Sequence, residues 1–273
     1  MASDDDRLAH ELAAEAGRRL LALRAAGGEP DDLRKAGDRT SHEFLTAELA
    51  RRRPGDVVLS EEGADNPARL TAGRVWIVDP LDGTREFGEA GRTDWAVHVA
   101  LFQQTRGQQT RGQQTRGERA AGEPGALTAG AVALPAQDQV LSTVSPPPAP
   151  PSARPAGRLR IVVSRTRPAP FLPRMAELLG ADLIPLGSAG AKVAAVLNAE
   201  CDAYVHAGGQ YEWDSAAPVA VARAAGFHAS RIDGSGLFYN QPDLLMPDIL
   251  VCPPVLAGPL LDAIQSARHE GSQ

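Results

Sequence analysis

The chain has 273 residues, 43% of them hydrophobic, and a net charge of −6 with a pI near 5.6. That length gives room for one large domain or about two smaller ones. The acidic balance argues against a nucleic-acid polymer as partner, and no apolar run approaches the ~20 residues of a membrane span.

Met1 to Arg7 is acidic, and no apolar segment of signal-peptide type follows it, so the expectation is a soluble cytoplasmic protein. Residues 4–25 carry Leu8, Leu12, Ala16, Leu20 and Leu23 at helical spacing. Gly27-Gly28-Glu29-Pro30 breaks that pattern, and a second helix is predicted from Thr40 to Arg53 with Phe44, Leu45 and Leu49 as its stripe. Val57-Val58-Leu59 reads as a short strand ending at Ser60-Glu61-Glu62, and Val75-Trp76-Ile77-Val78 as a buried strand. Trp95, Val97, Val99 and Leu101 alternate as a further strand, and residues 127–134 and 139–144 suggest two more. Gln-Gln-Thr-Arg-Gly occurs three times over residues 103–117. A five-residue period is too short for a solenoid unit, and it reads as an expanded hairpin tip.

Residues 145–157 form a proline-rich connector. It divides an N-terminal α+β domain, 1–150, from a C-terminal α/β domain, 151–273. The second half restarts with a strand at Leu159–Val163. Then come a helix around Phe171–Leu179, a strand near Leu183–Leu186, a helix over Ala189–Ala199 and a strand at Ala203–His206. A helix over Ser215–Ala225, a strand at Ile249–Val251 and a helix over Leu256–Ala267 complete the pattern. Alternating strands and helices in both halves fit a layered α-β sandwich better than a barrel.

The chemistry concentrates at Asp79-Pro80-Leu81-Asp82-Gly83-Thr84. Two carboxylates at a strand end, beside glycine and a hydroxyl, can hold hard divalent cations and receive a phosphate at one place. Pro80 is expected to rigidify a turn between them. Glu61, ending the preceding strand, is placed to reach the same sheet edge. Asp214 opens a predicted helix, where its ordinary role is N-cap. Gly83 and Thr84 offer backbone N–H groups at a helix-like start. Gly187-Ser188-Ala189-Gly190-Ala191-Lys192 gives a second small-residue helix entry, without Walker spacing. An ordinary N-cap at Ser188 and a solvated Lys192 remain open there. Only two lysines, Lys35 and Lys192, stand among many arginines, so single arginines carry little weight. The six histidines show no ligand spacing; His98, on an alternating strand, reads as structural. Neither Cys201 nor Cys252 sits in a catalytic, zinc or disulfide pattern.

Taken together, Ser60-Glu61-Glu62, Trp76 through Thr84 and Trp213-Asp214-Ser215-Ala216-Ala217 resemble the three signatures of the inositol monophosphatase superfamily. The resemblance runs from about Leu8 to Ala267. It implies a five-layered αβαβα sandwich, Mg2+ dependence with two or three ions, inhibition by Li+, and a homodimer. It implies metal ligation by Glu61, Asp79, the Leu81 carbonyl, Asp82 and Asp214. Asp38 falls where the family places another metal-site Asp, although Leu33 to Gly37 departs from the usual preceding residues.

The continuation Arg85-Glu86-Phe87, with Val163-Ser164-Arg165 and Gly187 to Lys192, is similar to the CysQ-type branch that acts on 3′-phosphoadenosine 5′-phosphate. The resemblance therefore implies a phosphatase yielding AMP, with Glu61 and Thr84 orienting a water activated by metal and Asp82 essential to catalysis. Gly83, Thr84, Arg85, Ser164, Arg165, Gly187, Ser188 and Lys192 are the expected substrate contacts, with Tyr211, Trp213 and Arg165 available for the nucleoside. Inositol 1-phosphate or fructose 1,6-bisphosphate is the alternative substrate, and a non-enzymatic binding module the remote alternative.

Overall fold

A computed structural model describes residues 3–104, 125–154 and 156–270. The pentapeptide repeat lies outside the described residues from Thr105 onward. Helix α1 (Asp4–Ala26) starts at a capping box: the Asp6 amide donates to the Ser3 hydroxyl, and the Ser3 amide to the Asp6 carboxylate. Of its predicted stripe, Leu8, Leu12, Ala16 and Leu20 are buried and Leu23 is half-buried. Helix α2 (Pro30–Arg52) begins ten residues before the predicted Thr40, with Pro30 in its first turn. Only Leu33 and Gly37 are buried among those ten residues, so no apolar stripe announces them. Gly37 has to be small: a Cβ there would meet Leu81 Cδ2 and Phe87 Cε1, both at 2.8 Å.

The first sheet holds β1 (Val57–Ser60), β2 (Arg74–Asp82), β3 (Ala96–Gln104), β4 (Gly125–Leu134) and β5 (Gln139–Ser142) in chain order. β1 and β2 are parallel; the other pairs are antiparallel. The second sheet contains β6 (Leu159–Ser164), β7 (Ala181–Leu186), β8 (Ala203–Tyr211), β9 (His228–Ser230) and β10 (Leu245–Cys252), ordered β7-β6-β8-β10-β9. Strand β9 is too short for sequence periodicity to reveal. The remaining helices are α3 (Thr84–Gly88), α4 (Leu172–Leu179), α5 (Ala189–Leu197), α6 (Glu212–Ala224) and α7 (Pro254–Glu270).

Three apolar clusters stack these elements into five layers, the expected αβαβα sandwich. α1 and α2 cover one face of the first sheet, α5 and α6 fill the space between the sheets, and α4 and α7 cover the far face of the second. β2 shows why its run is continuously apolar: Trp76 and Val78 face α1 and α2, while Val75 and Ile77 face the middle layer. The middle core joins Ile77 and Val132 to Val193, Val219, Tyr204 and Ile249. Residues on both sides of the proline-rich connector thus share one core.

A buried polar clasp ties the halves together beside α6. Glu212, 1% exposed, accepts the Asn240 and Gln241 amides at 2.5 and 2.7 Å. Arg69, also buried, donates to the Asn240 side-chain oxygen at 3.0 Å and the Gln241 carbonyl at 2.9 Å. Asn240 sits at φ 58, a conformation that asparagine tolerates better than most residues. Removing the acceptor would strand two buried N–H groups, each costing ~1–3 kcal/mol. Glu212→Ala is expected to lose about 2–5 kcal/mol in urea unfolding and Glu212→Gln markedly less; equal losses would deny the clasp its hydrogen-bonding role.

Candidate active site

Because β1 and β2 are parallel, their C-terminal ends reach the same sheet edge. Glu61 follows β1, its amide donating to the Val78 carbonyl at 3.3 Å. Asp79 and Asp82 lie at the end of β2. The strand does not turn at Pro80, as the sequence suggested; it runs on to Asp82 with a register irregularity between the two acids. Proline has no N–H for the ladder, and the next amide, Leu81, bonds the Asp79 Oδ1 at 3.0 Å instead. Gly83, at φ 85, then swings the chain into α3.

Asp214 is not the N-cap of its helix. α6 starts at Glu212, the N-cap is Tyr211, and Asp214 is the third helical residue, its Oδ2 accepting the Tyr211 amide at 2.6 Å. Glu212 and Trp213 continue the strand-like pattern of β8 in sequence, which hides the helix start. The hydroxyl of Thr84 lies within reach of the Leu81 carbonyl, 3.0 Å, and of Asp38 Oδ1, 3.2 Å. This joins Asp38, on α2, to the motif.

The Gly187–Lys192 segment closes the other side. Ser188 caps α5, its Oγ accepting the Ala191 amide at 3.0 Å, and Ser188 Oγ and the Gly190 amide donate to Asp82 Oδ2 at 2.5 and 2.7 Å. The N-terminus of α5 therefore grips one oxygen of Asp82. Lys192 is not solvated: it is 4% exposed, donates its Nζ to the Gly187 carbonyl and lies 5.4 Å from the Tyr204 ring centre. The Gly187 amide donates to Asp94 Oδ2 at 2.7 Å. A Cβ on Gly187 would collide with the carboxyl carbon of Glu86.

Arg165 is committed to protein carboxylates. It donates to Glu86 Oε1 at 2.6 and 3.2 Å and to Glu89 at 3.0 and 3.1 Å. Ser164 is buried and its Oγ accepts the Arg167 amide at 3.1 Å, while Arg85 faces solvent.

Burial and mutual repulsion hold the acids' protons. Burial, then Glu61, Asp82 and Asp214, push Asp79 well above the usual carboxylate range. Asp214 is pushed up to about 7, first by burial and then by Asp82. Glu61 also reaches about 7, through the crowding around its carboxyl and then Asp214, although one side of the residue stays open to solvent. Asp38 is raised to about 6 by burial and by Glu62.

His98 was not expected here. It pairs with Asp79 across the β2/β3 ladder, which places it against the motif. Its Nδ1 lies 3.1 Å from the Trp213 carbonyl and must donate to it; its Nε2 lies 3.3 Å from Asp82 Oδ2. Burial disfavours the imidazolium, so this Nε2 is a lone pair facing a carboxylate. Asp79 Oδ2 and His98 Nε2 are both buried without a hydrogen-bond partner. One ligand atom from each of Asp79, Asp82 and His98 falls within 4.8 Å of the others. Orphaned electron pairs among crowded carboxylates fit a divalent cation, and an oxygen-dominated donor set suits a hard one.

A family model described as the inositol monophosphatase family matches residues 6–269. The chain is 47% identical over 264 residues, 96% of its length and 93% of the other, to a protein of Mycobacterium leprae named 3′-phosphoadenosine 5′-phosphate phosphatase. Among solved structures it is similar to inositol monophosphatase II of Staphylococcus aureus, with TM-score 0.75 and 21% identity over 95% of both chains. It is similar as well to CysQ of Bacteroides thetaiotaomicron, with TM-score 0.72 and 25% identity, covering 90% of this chain and 95% of that one.

A Cβ on Gly190 would collide with His98 Nε2. Gly190→Ala must therefore displace the imidazole or the start of α5, at ~1–3 kcal/mol for an overpacked site. The expected result is a melting temperature lowered by about 3–10 °C and a weakened rise on adding divalent cation. A variant that melts and responds like the parent would rule out this packing.

Proposed function

The chain belongs to the inositol monophosphatase family, and we propose that it hydrolyses the 3′-phosphate of 3′-phosphoadenosine 5′-phosphate, giving AMP and phosphate, with Mg2+ as cofactor. The substrate reading rests above all on the 47% identity that spans 96% of the chain. The site supports a phosphate monoesterase independently, because four carboxylates converge with a helix N-terminus and a buried lysine.

Glu61, Asp79, Asp82, Asp214 and the Leu81 carbonyl would hold the ions, with Asp38 beside Thr84 for a further one. Bound there, Mg2+ would lower the pKa of an attacking water and stabilise the departing ester oxygen. The protein's own groups do the rest. Glu61, with a pKa near 7 and a side open to solvent, is suited to take a proton from water at neutral pH. The Thr84 hydroxyl, held by Asp38 and the Leu81 carbonyl, can orient that water. Ser188 and Gly190 fix the Asp82 carboxylate, so its free oxygen keeps one direction. Arg165 holds α3 through Glu86 and Glu89 and so positions Thr84 on the same helix. No protein nucleophile is needed, since in-line attack on phosphorus is a problem of placement and charge.

Two measurements bear on this reading. Asp82→Asn should keep the fold, because an amide oxygen can still accept from Ser188 and Gly190, yet lose at least about 1,000-fold in kcat/KM. Near-normal turnover would sink the carboxylate mechanism. Side-by-side kcat/KM for 3′-phosphoadenosine 5′-phosphate, inositol 1-phosphate and fructose 1,6-bisphosphate should favour the nucleotide, with Li+ inhibiting. Preference for inositol 1-phosphate would replace the nucleotide reading.

The pKa directions give a pH test. Glu61, Asp214 and Glu212, each near 7, keep protons in the folded state that the unfolded chain has lost. That stability is full below the unfolded values of 3.8–4.5 and is lost as pH rises through about 7. The histidines held low by burial, His98, His206 and His228, act oppositely, but chiefly at and below their ordinary 6.5. Between pH 7 and 8.5 the melting temperature without cation should therefore fall, and saturating Mg2+ should raise it more at pH 8.5 than at 6.5. A pH-independent Mg2+ effect would contradict ligation by these acids.

A further inference from the structure

The carboxylates come from two layers. Asp79 and Asp82 end β2 of the first sheet, whereas Asp214 sits in the first turn of α6, in the middle layer. Ligands of one ion must be held to about 0.5 Å of their working positions, so α6 has to be fixed against the first sheet. Its own backbone is weak at this turn. Pro218, buried inside α6, has no N–H, so the Asp214 carbonyl four residues earlier loses the bond that any other residue would give it. Anchors from outside the helix take over. The Glu212 carboxylate accepts the Asn240 and Gln241 amides, and the Glu212 amide donates to the Leu244 carbonyl at 3.0 Å. Ser215 Oγ lies 3.1 Å from the Tyr239 hydroxyl oxygen. These anchors all run to residues 239–244, ahead of β10, and none of them refers to the sheet that carries Asp79 and Asp82.

His98 supplies that reference. It stands on β3, fully buried, paired with Asp79 across the ladder. Its Nδ1–H donates to the carbonyl of Trp213, the residue before Asp214, at 3.1 Å; Asp79 Oδ2 stands farther from the same nitrogen, at 4.0 Å. The opposite edge of the ring faces Asp82. Nε2 lies 3.3 Å from Asp82 Oδ2, the oxygen already held by Ser188 and Gly190. Gly190 closes that side so tightly that a Cβ on it would come within 2.2 Å of Nε2. The imidazole is therefore a spacer between two ligand-bearing elements, with Asp82 and the start of α5 on one edge and the first turn of α6 on the other. Packed on all sides, it cannot swing away.

We propose that His98 is a positioning residue: through the Trp213 carbonyl it sets Asp214 against Asp79 and Asp82, in a turn that Pro218 has loosened. The proposal rests on reading these acids as ligands of a divalent cation, and not on which substrate is cleaved. It gives the buried histidine a role in geometry rather than in the chemical step. Groups that orient metal ligands in this way typically govern metal affinity by about 10- to 100-fold.

Calorimetric titration of the full chain with Mg2+, together with melting temperatures without cation, tests this. The amide nitrogen of asparagine is attached to Cγ as Nδ1 is, so His98→Asn keeps a donor for Trp213; His98→Leu fills similar space without one, and His98→Ala removes the ring. His98→Leu and His98→Ala should each weaken Mg2+ binding about 10- to 100-fold, and His98→Asn by less than about fivefold. Pro218→Ala returns the missing amide. Alone it should change the Mg2+ Kd by less than about twofold, and in the His98→Leu background it should tighten binding at least about threefold, because the two ties act on one turn. Donor-less variants that melt lower yet bind Mg2+ as the parent does would make His98 merely structural and overturn the proposal. Equal weakening by His98→Asn and His98→Leu would overturn the tie through Trp213, and no gain from Pro218→Ala would overturn the part given to the proline. A parent that takes up no Mg2+ would overturn the cation reading and this proposal together, whereas Mg2+ binding without nucleotide hydrolysis would remove the substrate reading alone.

Discussion

Four like-charged carboxyl groups at one sheet edge are the constraint around which this molecule is arranged. Asp79 and Asp82 are buried, Asp214 is half-buried, and Glu61 crowds against them. One pKa unit corresponds to about 1.4 kcal/mol, so ionising an acid pushed up as far as Asp214 costs the fold a few kcal/mol at neutral pH. The cluster persists because three apolar cores hold its supports in place, and their burial stabilises the fold far more than the repulsion destabilises it. The repulsion is also what gives the site its appetite for positive charge. Lys192 only partly answers it, since its Nζ is turned to a carbonyl.

The four acids are delivered by the ends of three elements, β1, β2 and α6, which explains why a layered sandwich suits this task. β1 and β2 end together because they are parallel. α6 brings its first turn to the same edge from the middle layer, and α5 adds its amide end against Asp82. Glycines set the close approaches. Gly37 lets α2 lie on Leu81 and Phe87, Gly190 makes room for His98, and Gly187 makes room for Glu86. The site's accuracy is thus a packing property as much as an electrostatic one.

Much of this is legible in the chain, for identifiable reasons. Val75 to Val78 stand out because both faces of β2 are buried, and the motif follows directly. Layers and helix order follow from periodicity. What is hidden depends on partners distant in sequence. The first ten residues of α2 pack chiefly through Leu33 and Gly37 and carry no stripe. Asp214 looks like a cap because Glu212 is buried by a clasp with Asn240 and Gln241, contacts no local pattern displays. His98 gains its place through register opposite Asp79, not through spacing. Lys192 looks like a surface lysine until β8 and Tyr204 are set beside it.

The division between the sheets gives the residues after the motif a sharper meaning. Thr84 and Glu86 lie on one five-residue helix. Thr84 turns to the acids, while Glu86 turns to Arg165 at the end of β6 and abuts Gly187 before α5. Arg85-Glu86-Phe87 is therefore not chiefly a set of ligand contacts: Arg85 faces solvent, Glu86 is consumed by an ion pair, and Phe87 is packed edge-on against Trp95. The triplet couples the chemical end of the first sheet to the loop after β6 and to the entry of α5 in the middle layer, so the placement of Thr84 beside the acids depends on contacts made by residues far from it in sequence.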